Sequence, residues 1–139
     1  ARIFFGDGTN HWFSTGHITS EIGDESLEFN HNSGPTMDYR NGHADFADGV
    51  WRHLVSVVDG TDNKIYIDGV AVSTHFRRGN ATSTSGKLWD AAGTTMIGGY
   101  TSVSYTFTGD VAVVRLYSAG LDASEVLQNY NNDKTRFGH

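Results

Sequence analysis

The residues best suited to chemistry in this chain are aromatic side chains that stand beside charged or amide groups in turn-rich stretches. An aromatic ring can stack on the apolar face of a sugar, and a neighbouring planar polar group can fix the sugar hydroxyls. The positions that carry or adjoin such rings, and that we expect to bind a ligand, are Trp12, Tyr39, Arg77, Trp89 and Tyr100. Any one ring could instead belong to the core, because aromatic residues dominate burial.

A run of acidic residues raises the alternative of glycoside hydrolysis. Retaining glycosidases need two carboxylates about 5–5.5 Å apart, which on a β-strand requires acids at alternate positions. In the run from Glu21 to Glu25 the middle position is Gly23, and Asp24 would lie on the opposite face from the two glutamates. We interpret the run as an acidic turn and expect no enzymatic activity.

Other catalytic and metal-binding patterns are absent from the sequence. No Gly-x-Ser-x-Gly motif is present, so no strained turn exposes a nucleophilic serine. The 7 histidines never occur at His-x-x-x-His spacing, which helical zinc sites use. The chain has no cysteine, which excludes disulfides, zinc-thiolate sites and cysteine nucleophiles.

Length and charge restrict the domain count and the partners. The 139 residues fit one domain covering 1–139. A net charge of −6 repels phosphate backbones and argues against nucleic acid. No run approaches the ~18 apolar residues of a membrane-spanning helix, so we expect no membrane insertion. Because the first residue is Ala1 rather than Met, we expect a processed product or a part of something longer.

Short runs of β-forming residues, separated by Gly, Asp, Asn and Ser clusters, predict an all-β chain up to the last helix. Asp68-Gly69 stands directly between two such runs and predicts a hairpin with positive φ at both positions. The run at 50–58 has apolar residues on both faces, so we expect an internal strand covered on one side by a second sheet. The predicted strands are residues 2–5, 11–14, 26–30, 50–58, 64–68, 70–75, 94–97 and 110–117.

One helix is predicted after residue 121. Asp122 and Glu125 have the spacing of a capping box, with Asp122 as the N-cap. Leu121 and Val126 occupy the positions of a hydrophobic staple around that cap. An apolar stripe formed by Val126, Leu127 and Tyr130 would then dock the helix on the sheets. We expect Asn131-Asn132-Asp133 to end it.

The order of motifs in the middle of the chain resembles that of a known family. Residues 48–72 contain a Trp51-x-His53 start, a strand, an Asp-Gly turn and the hairpin Tyr66-Ile67-Asp68-Gly69-Val70. This order resembles the central signature of laminin G-like, concanavalin A-like jelly-roll modules. Met96-Ile97-Gly98-Gly99 and the run from Phe107 to Glu125 are similar to the closing strands and helix of the same family.

The resemblance implies a fold and a class of function. The implied fold is all-β, a two-sheet antiparallel jelly-roll sandwich with a short C-terminal helix. The implied function is non-catalytic recognition or adhesion through glycans or surface polysaccharide, in an extracellular, cell-surface or virion-surface protein. The alternative is a structural subunit of a phage virion or extracellular assembly that contacts only protein chains.

Two residues take specific roles from the resemblance. It places Asp110 at a strand start near the calcium region of the family, which makes Asp110 the candidate metal ligand and calcium the candidate cofactor. The family often has an acid three positions after Gly109, where this chain has Ala112. The resemblance also assigns Trp51 to the core and predicts that His53 packs or hydrogen-bonds in its strand.

The start of the chain suggests a further partner. All-β sandwiches commonly have about 200–250 residues, so we expect either a compact variant with fewer strands or a fold whose opening strands are incomplete. Residues 2–5 are apolar and have no preceding segment to shield them, so we expect an open sheet edge there. A second copy of the chain or another strand-donating partner would complete such an edge.

Overall fold

The computed structural model describes residues 2–6, 11–15, 27–31, 37–39, 49–58, 63–73, 75–76, 95–99 and 106–138. Its strands are β1 (Arg2–Gly6), β2 (His11–Thr15), β3 (Leu27–His31), β4 (Met37–Tyr39), β5 (Leu54–Val58), β6 (Asn63–Ile67), β7 (Val70–Ala71), β8 (His75–Phe76) and β9 (Met96–Ile97). One helix, α1 (Ala123–Lys134), follows them. All strand pairs between these elements are antiparallel.

Six strands form the larger sheet, in the order β8-β4-β3-β2-β1-β9. The first strand therefore has a neighbour on each side, with β9 pairing at Phe5 and Gly6. The expectation that residues 2–5 form an open edge is wrong at this end of the strand. The sequence could not reveal the second neighbour because β9 lies about ninety residues further along the chain.

The smaller sheet is a meander in the order β5-β6-β7. The hairpin between β6 and β7 turns at Asp68 and Gly69, whose φ angles are +51° and +82°. Both angles are positive, as the Asp-Gly dipeptide predicts for a two-residue turn. The predicted strand at 50–58 begins only at Leu54, and residues 50–53 before it are described but belong to no strand.

The packed core of the described region lies between this sheet and the helix. Val57, Tyr66 and Val126 are buried together, and Val55 and Leu121 pack against them. Tyr66 pairs with Val55, so both belong to one face of the sheet. Ile65 pairs with Ser56 on the opposite face and is fully buried there. The helix therefore covers one face of the smaller sheet, and the opposite face is also buried at Ile65.

The helix begins as the sequence predicts. The Glu125 amide donates to Asp122 Oδ1 at 2.9 Å, and the Asp122 amide donates to Glu125 Oε2 at 2.9 Å. Hydrogen bonds from the Ser124 hydroxyl and the Glu125 amide hold the pKa of the Asp122 carboxyl below its usual value. The predicted end is wrong, because the helix continues through residues 131–133 to Lys134. Asn and Asp lower helix propensity only modestly, and packing overrides that cost.

Several strand predictions need correction. The predicted strand at 70–75 is two short strands, β7 and β8, which belong to different sheets. The predicted strand at 94–97 is reduced to β9, and β4 was not predicted at all. Residues 110–117 are described but form no strand. We call them the 110–117 segment. Its apolar side chains are exposed, with Leu116 at 70%.

Candidate functional site

The candidate site lies where α1 and the residues after it run along residues 51–57, which include most of β5. We call residues 51–57 the stretch. Side chains alternate along a strand, so Val55 and Val57 of β5 share one face. Val55 and Val57 on this face lie near the start of the helix. The ring of His53 lies 6.0 Å from that of Tyr130, and the ring of Trp51 lies 5.2 Å from that of Phe137. The helix thus runs antiparallel to the stretch.

Trp51 lies at the far end of this contact and is not a core residue. It is 38% exposed, so its assignment to the core is wrong. Its ring is tilted by 41° against the half-buried ring of Phe137. The guanidinium carbon of Arg136 lies 5.3 Å from the centroid of the Phe137 ring. We call Trp51, Phe137 and Arg136 the Trp51 surface.

Backbone hydrogen bonds hold the residues of this surface after the helix ends. The Arg136 amide donates to the carbonyl of Asp133 at 2.9 Å, and the Phe137 amide donates to that of Lys134 at 3.2 Å. These bonds tighten the chain directly after the last helical turn, as often happens at helix ends. They fix the position of the Arg136 and Phe137 backbones against Trp51.

Asp68 joins the hairpin turn to the stretch before β5. Its Oδ2 accepts from Arg52 Nη1 at 2.6 Å, and its Oδ1 accepts from the His53 amide at 2.9 Å. The Asp68 amide in turn donates to the His53 carbonyl at 2.9 Å. The same aspartate therefore shapes the turn and holds residues 52 and 53 in place, which leaves Trp51 at the end of the stretch.

A second ion pair attaches the 110–117 segment to the helix. Arg115 Nη1 and Nη2 donate to the two carboxylate oxygens of Asp133 at 2.5 and 3.3 Å. This hydrogen bonding raises the pKa of Arg115 and lowers that of Asp133. One helical turn earlier, Asn129 Nδ2 donates to the Tyr117 hydroxyl at 3.1 Å. Residues 115 and 117 thus contact helix residues 133 and 129, which are four positions apart.

These pairings leave two cations at the end of the helix without a salt bridge among the described residues, and Arg136 interacts only electrostatically with the Asp133 carboxylate that Arg115 holds. Within the described residues, Arg52 pairs with Asp68 and Arg115 pairs with Asp133. Lys134 instead places its Nζ 5.7 Å from the Tyr130 ring centroid. Arg136 is exposed and faces the Phe137 ring. Neither has a salt-bridge partner in the part of the chain that the structure describes.

His53 packs in its stretch, as predicted, and is half-buried. Burial lowers its pKa, the carboxylates of Asp133 and Asp68 act to raise it, and Arg115 acts to lower it. Its Nδ1 atom is buried and has no hydrogen-bond partner among the residues that the structure describes. A buried atom of this kind has no access to a substrate. We therefore assign His53 to the support of the site.

The predicted ligand-binding residues are only partly described. Trp12 lies on β2 opposite Asn30, and Tyr39 ends β4 opposite Leu27, which pairs with Thr15 of β2. Positions 12 and 15 are an odd number of residues apart, so the register places Trp12 and Tyr39 on opposite faces of the larger sheet. A single ligand surface on this sheet includes only one of them. Arg77, Trp89 and Tyr100 lie outside the described residues, as does the acidic run at 21–25.

The candidate calcium ligand Asp110 is exposed. Among the described residues, no three acidic or histidine side chains come close enough together to hold a metal ion. Calcium prefers six to eight oxygen ligands, so the described neighbourhood of Asp110 does not by itself fit a calcium site. Further ligands would have to come from outside the described residues.

Sequence reasoning missed the Trp51 surface. It assigned Trp51 to the core through the family resemblance, and it ended the helix before Arg136 and Phe137. One signal was available, because the alternation of the 50–58 run already places Trp51 and His53 on the face that the helix covers.

In the described part of the chain, no helix is long and apolar enough to cross a membrane.

Comparison with known proteins supports the fold. The family model described as the concanavalin A-like lectin/glucanases superfamily matches residues 1–127. A search of curated proteins finds no match. A crystal structure of residues 221–444 of an S-layer domain-containing protein from Clostridium thermocellum is similar, with a TM-score of 0.50 and 15% identity. The alignment covers 90% of this chain and 65% of that one, just under two thirds of its length.

At that identity the structural likeness supports the fold alone, whereas the family match covers most of the sequence. Membership of this superfamily implies a jelly-roll β-sandwich, and the antiparallel sheets agree with it. The chain belongs to the laminin G-like family of the concanavalin A-like lectin/glucanase superfamily.

Proposed function

We propose that the chain is a non-catalytic, carbohydrate-binding recognition module of a secreted, cell-surface or virion protein. The observation that carries the proposal is the exposure of Trp51 beside Phe137 and Arg136. An exposed aromatic ring that is fixed by a neighbouring ring offers a flat apolar face, and sugars present matching C–H faces. Membership of a lectin-containing superfamily supports the same conclusion.

The environments of Asp133 and Asp68, the two aspartates nearest the Trp51 surface, favour binding over hydrolysis. A glycosidase needs a carboxylic acid whose pKa is raised so that it can donate a proton. The pKa of Asp133 is instead lowered by its hydrogen bonds with Arg115. Asp68 is occupied by Arg52 and by a backbone amide. Neither aspartate has the environment of a general acid.

The five residues predicted from the sequence remain part of the proposal as separate contacts. Trp12 and Tyr39 would serve opposite faces of the larger sheet, so they would belong to different ligand surfaces. Arg77, Trp89 and Tyr100 would contribute from elsewhere in the chain. Only Trp51 is supported by a described side-chain environment.

Calcium binding through Asp110 is retained as a separate proposal. A metal that binds only the folded chain raises its melting temperature by mass action. We expect millimolar calcium to raise the melting temperature of the wild-type chain above its value in chelator, and Asp110→Asn to remove the increase. An unchanged melting curve would exclude the site.

A second candidate function is assembly with protein chains, and the 110–117 segment favours it. Val111, Val113, Val114, Leu116 and Tyr117 are all exposed. Such a series of β-forming residues could accept a strand from a partner or from a second copy of the chain. Sedimentation at micromolar concentration would test this. A monomer whose state is unchanged by Leu116→Glu would argue against self-association.

Affinity electrophoresis in gels that contain soluble polysaccharides tests the carbohydrate proposal. The wild-type chain should be retarded by at least one neutral or acidic polysaccharide, and Trp51→Ala should abolish the retardation. Tyr117→Ala is the matched control, because Tyr117 is also an exposed aromatic residue but lies outside the Trp51 surface. Absence of retardation across a broad panel, or equal loss in both variants, would contradict the proposal.

A further inference from the structure

The positively charged side chains near Trp51 differ in whether they form a salt bridge with an aspartate. Arg52 and Arg115 form salt bridges with aspartates, whereas Lys134 and Arg136 form none among the described residues. The Asp133 carboxylate also attracts Arg136, but it is already hydrogen-bonded to Arg115. The C-terminus of a helix carries a partial negative charge, which a cation in the last turn offsets. Lys134 lies in that last turn. Arg136 shares the Asp133 carboxylate with Arg115, so an excess of positive charge remains at its guanidinium, next to the Phe137 ring.

The chemistry of Arg136 indicates what it would bind. A guanidinium presents paired N–H donors that match the two oxygens of a carboxylate. The Phe137 ring contacts both the Trp51 ring and the Arg136 guanidinium, and backbone hydrogen bonds hold residues 136 and 137 in place. A sugar that stacked on Trp51 would therefore have this guanidinium near its edge.

We propose that the Trp51 surface is a subsite for an acidic sugar, whose ring stacks on Trp51 and whose carboxylate pairs with Arg136. This inference rests on the proposed carbohydrate binding and names the class of sugar. It assigns two roles that separate experimentally. Trp51 supplies contact with any sugar ring, and Arg136 supplies the preference for a carboxylate.

The net charge of the chain restricts the ligand further. At −6 the chain as a whole repels polyanions, and such repulsion between exposed charges extends over about 8–10 Å at moderate salt. A densely sulfated polymer would bring many charges within that range. The subsite is therefore suited to a polysaccharide with isolated uronate units between neutral sugars.

The test compares one oligosaccharide in two forms by isothermal titration calorimetry. The probe contains one glucuronate per disaccharide, and its partner is the same oligosaccharide with the carboxyl groups reduced to primary alcohols. We expect the acidic form to bind the wild-type chain about tenfold more tightly, since a hydrogen bond with a charged partner contributes at least that much. The measurement is made at about 0.1 M salt.

Two variants and a control assign the roles. Arg136→Gln should bind both forms equally, with the affinity that the wild-type chain has for the reduced form. Trp51→Ala should bind neither form. Lys64→Gln removes one positive charge from β6 and should keep the preference for the acidic form. Circular dichroism verifies that each variant is folded. Trp51→Leu, which keeps an apolar side chain against Phe137 but has no ring for a sugar to stack on, replaces Trp51→Ala if the latter unfolds.

The outcomes separate this inference from the proposed function. Equal binding of the two forms by the wild-type chain, or an unchanged preference in Arg136→Gln, would overturn the acidic subsite and leave carbohydrate binding in place. Binding of neither form, together with no retardation in the polysaccharide gels, would overturn both.

Discussion

The C-terminal helix and the 110–117 segment carry equally clear sequence signals but differ in the structure. The helix begins at the predicted cap and buries Val126 against the smaller sheet. The segment has five exposed apolar side chains and forms no strand. Two polar contacts, from Arg115 and Tyr117, attach it to the helix.

The difference follows from where each element obtains its hydrogen bonds. A helix satisfies its backbone groups within its own sequence, and its caps are a few residues away. A strand depends on a neighbour that can lie anywhere in the chain. Residues 110–117 have the composition of a strand, but composition does not specify the neighbour. Four predictions test this comparison.

The largest expected effect comes from paired tyrosine substitutions. Tyr66 is 2% exposed in the core and Tyr117 is 49% exposed in the 110–117 segment. Tyr66→Ala should reduce the free energy of unfolding by about 3–5 kcal/mol, as for other large-to-small core substitutions. Tyr117→Ala should cost less than about 1 kcal/mol. Equal losses in urea denaturation would show that the segment belongs to the core.

A glycine pair tests the contact between the hairpin turn and the helix. Gly69 and Gly98 both have positive φ, so alanine should cost about 1–2 kcal/mol at either position. At Gly69 a Cβ atom would also lie 3.0 Å from Leu127 Cδ1 and 3.2 Å from Tyr130 Cβ, whereas Gly98 has nothing within 4 Å.

Gly69→Ala should therefore be more destabilising than Gly98→Ala by roughly 1 kcal/mol or more, because it overpacks the contact with the helix. The comparison is made by urea denaturation of both variants. Equal losses would mean that the helix does not pack on the turn.

The pH dependence of stability tests the environment of His53. Its pKa is lowered in the folded chain, so the unfolded chain binds more protons below about pH 6.5. The free energy of unfolding should therefore fall as the pH decreases from about 6.5, by at most about 1.4 kcal/mol per pH unit.

His53→Phe retains a ring against Tyr130 and removes the titrating group. Thermal unfolding of both proteins between pH 8 and 5 should reveal a smaller decrease in the variant. If the two profiles are parallel, His53 is not buried as described.

The smallest expected effect is at the ion pair that attaches the segment to the helix. Arg115 is exposed, and exposed ion pairs contribute little because water and salt screen them. Arg115→Gln should change the melting temperature only slightly at low salt and not at all at high salt. A large loss at both salt concentrations would indicate that the segment is held as firmly as the helix.

The parts of the fold that could be predicted are those with local causes. The Asp68-Gly69 turn and the Asp122–Glu125 capping box are each set by adjacent residues, and both were predicted. The neighbours of β1 and the splitting of residues 70–75 between two sheets depend on distant pairing. Residues 131–133 have weak helix propensity, yet the helix continues through them.

The candidate site was predictable only in its components. The alternation in the 50–58 run places Trp51 and His53 on the same face. Trp51 is exposed and His53 is half-buried, and this difference depends on where the helix ends. Phe137, after the helix, contacts Trp51, whereas Tyr130, within it, contacts His53. The excess positive charge at Arg136 depends on which aspartates the other arginines contact, because Arg115 already holds Asp133. None of these contacts is local in the sequence.

The most direct test of carbohydrate binding at the Trp51 surface is an NMR titration of the three tryptophan indole N–H signals. Each signal is assigned by a single Trp→Phe variant, and the chain is titrated with the glucuronate-containing oligosaccharide. We predict a progressive shift of the Trp51 signal that saturates at the calorimetric affinity. A saturating shift confined to Trp12 or Trp89, or no shift of any indole signal at millimolar sugar, would contradict the assignment of the site to Trp51.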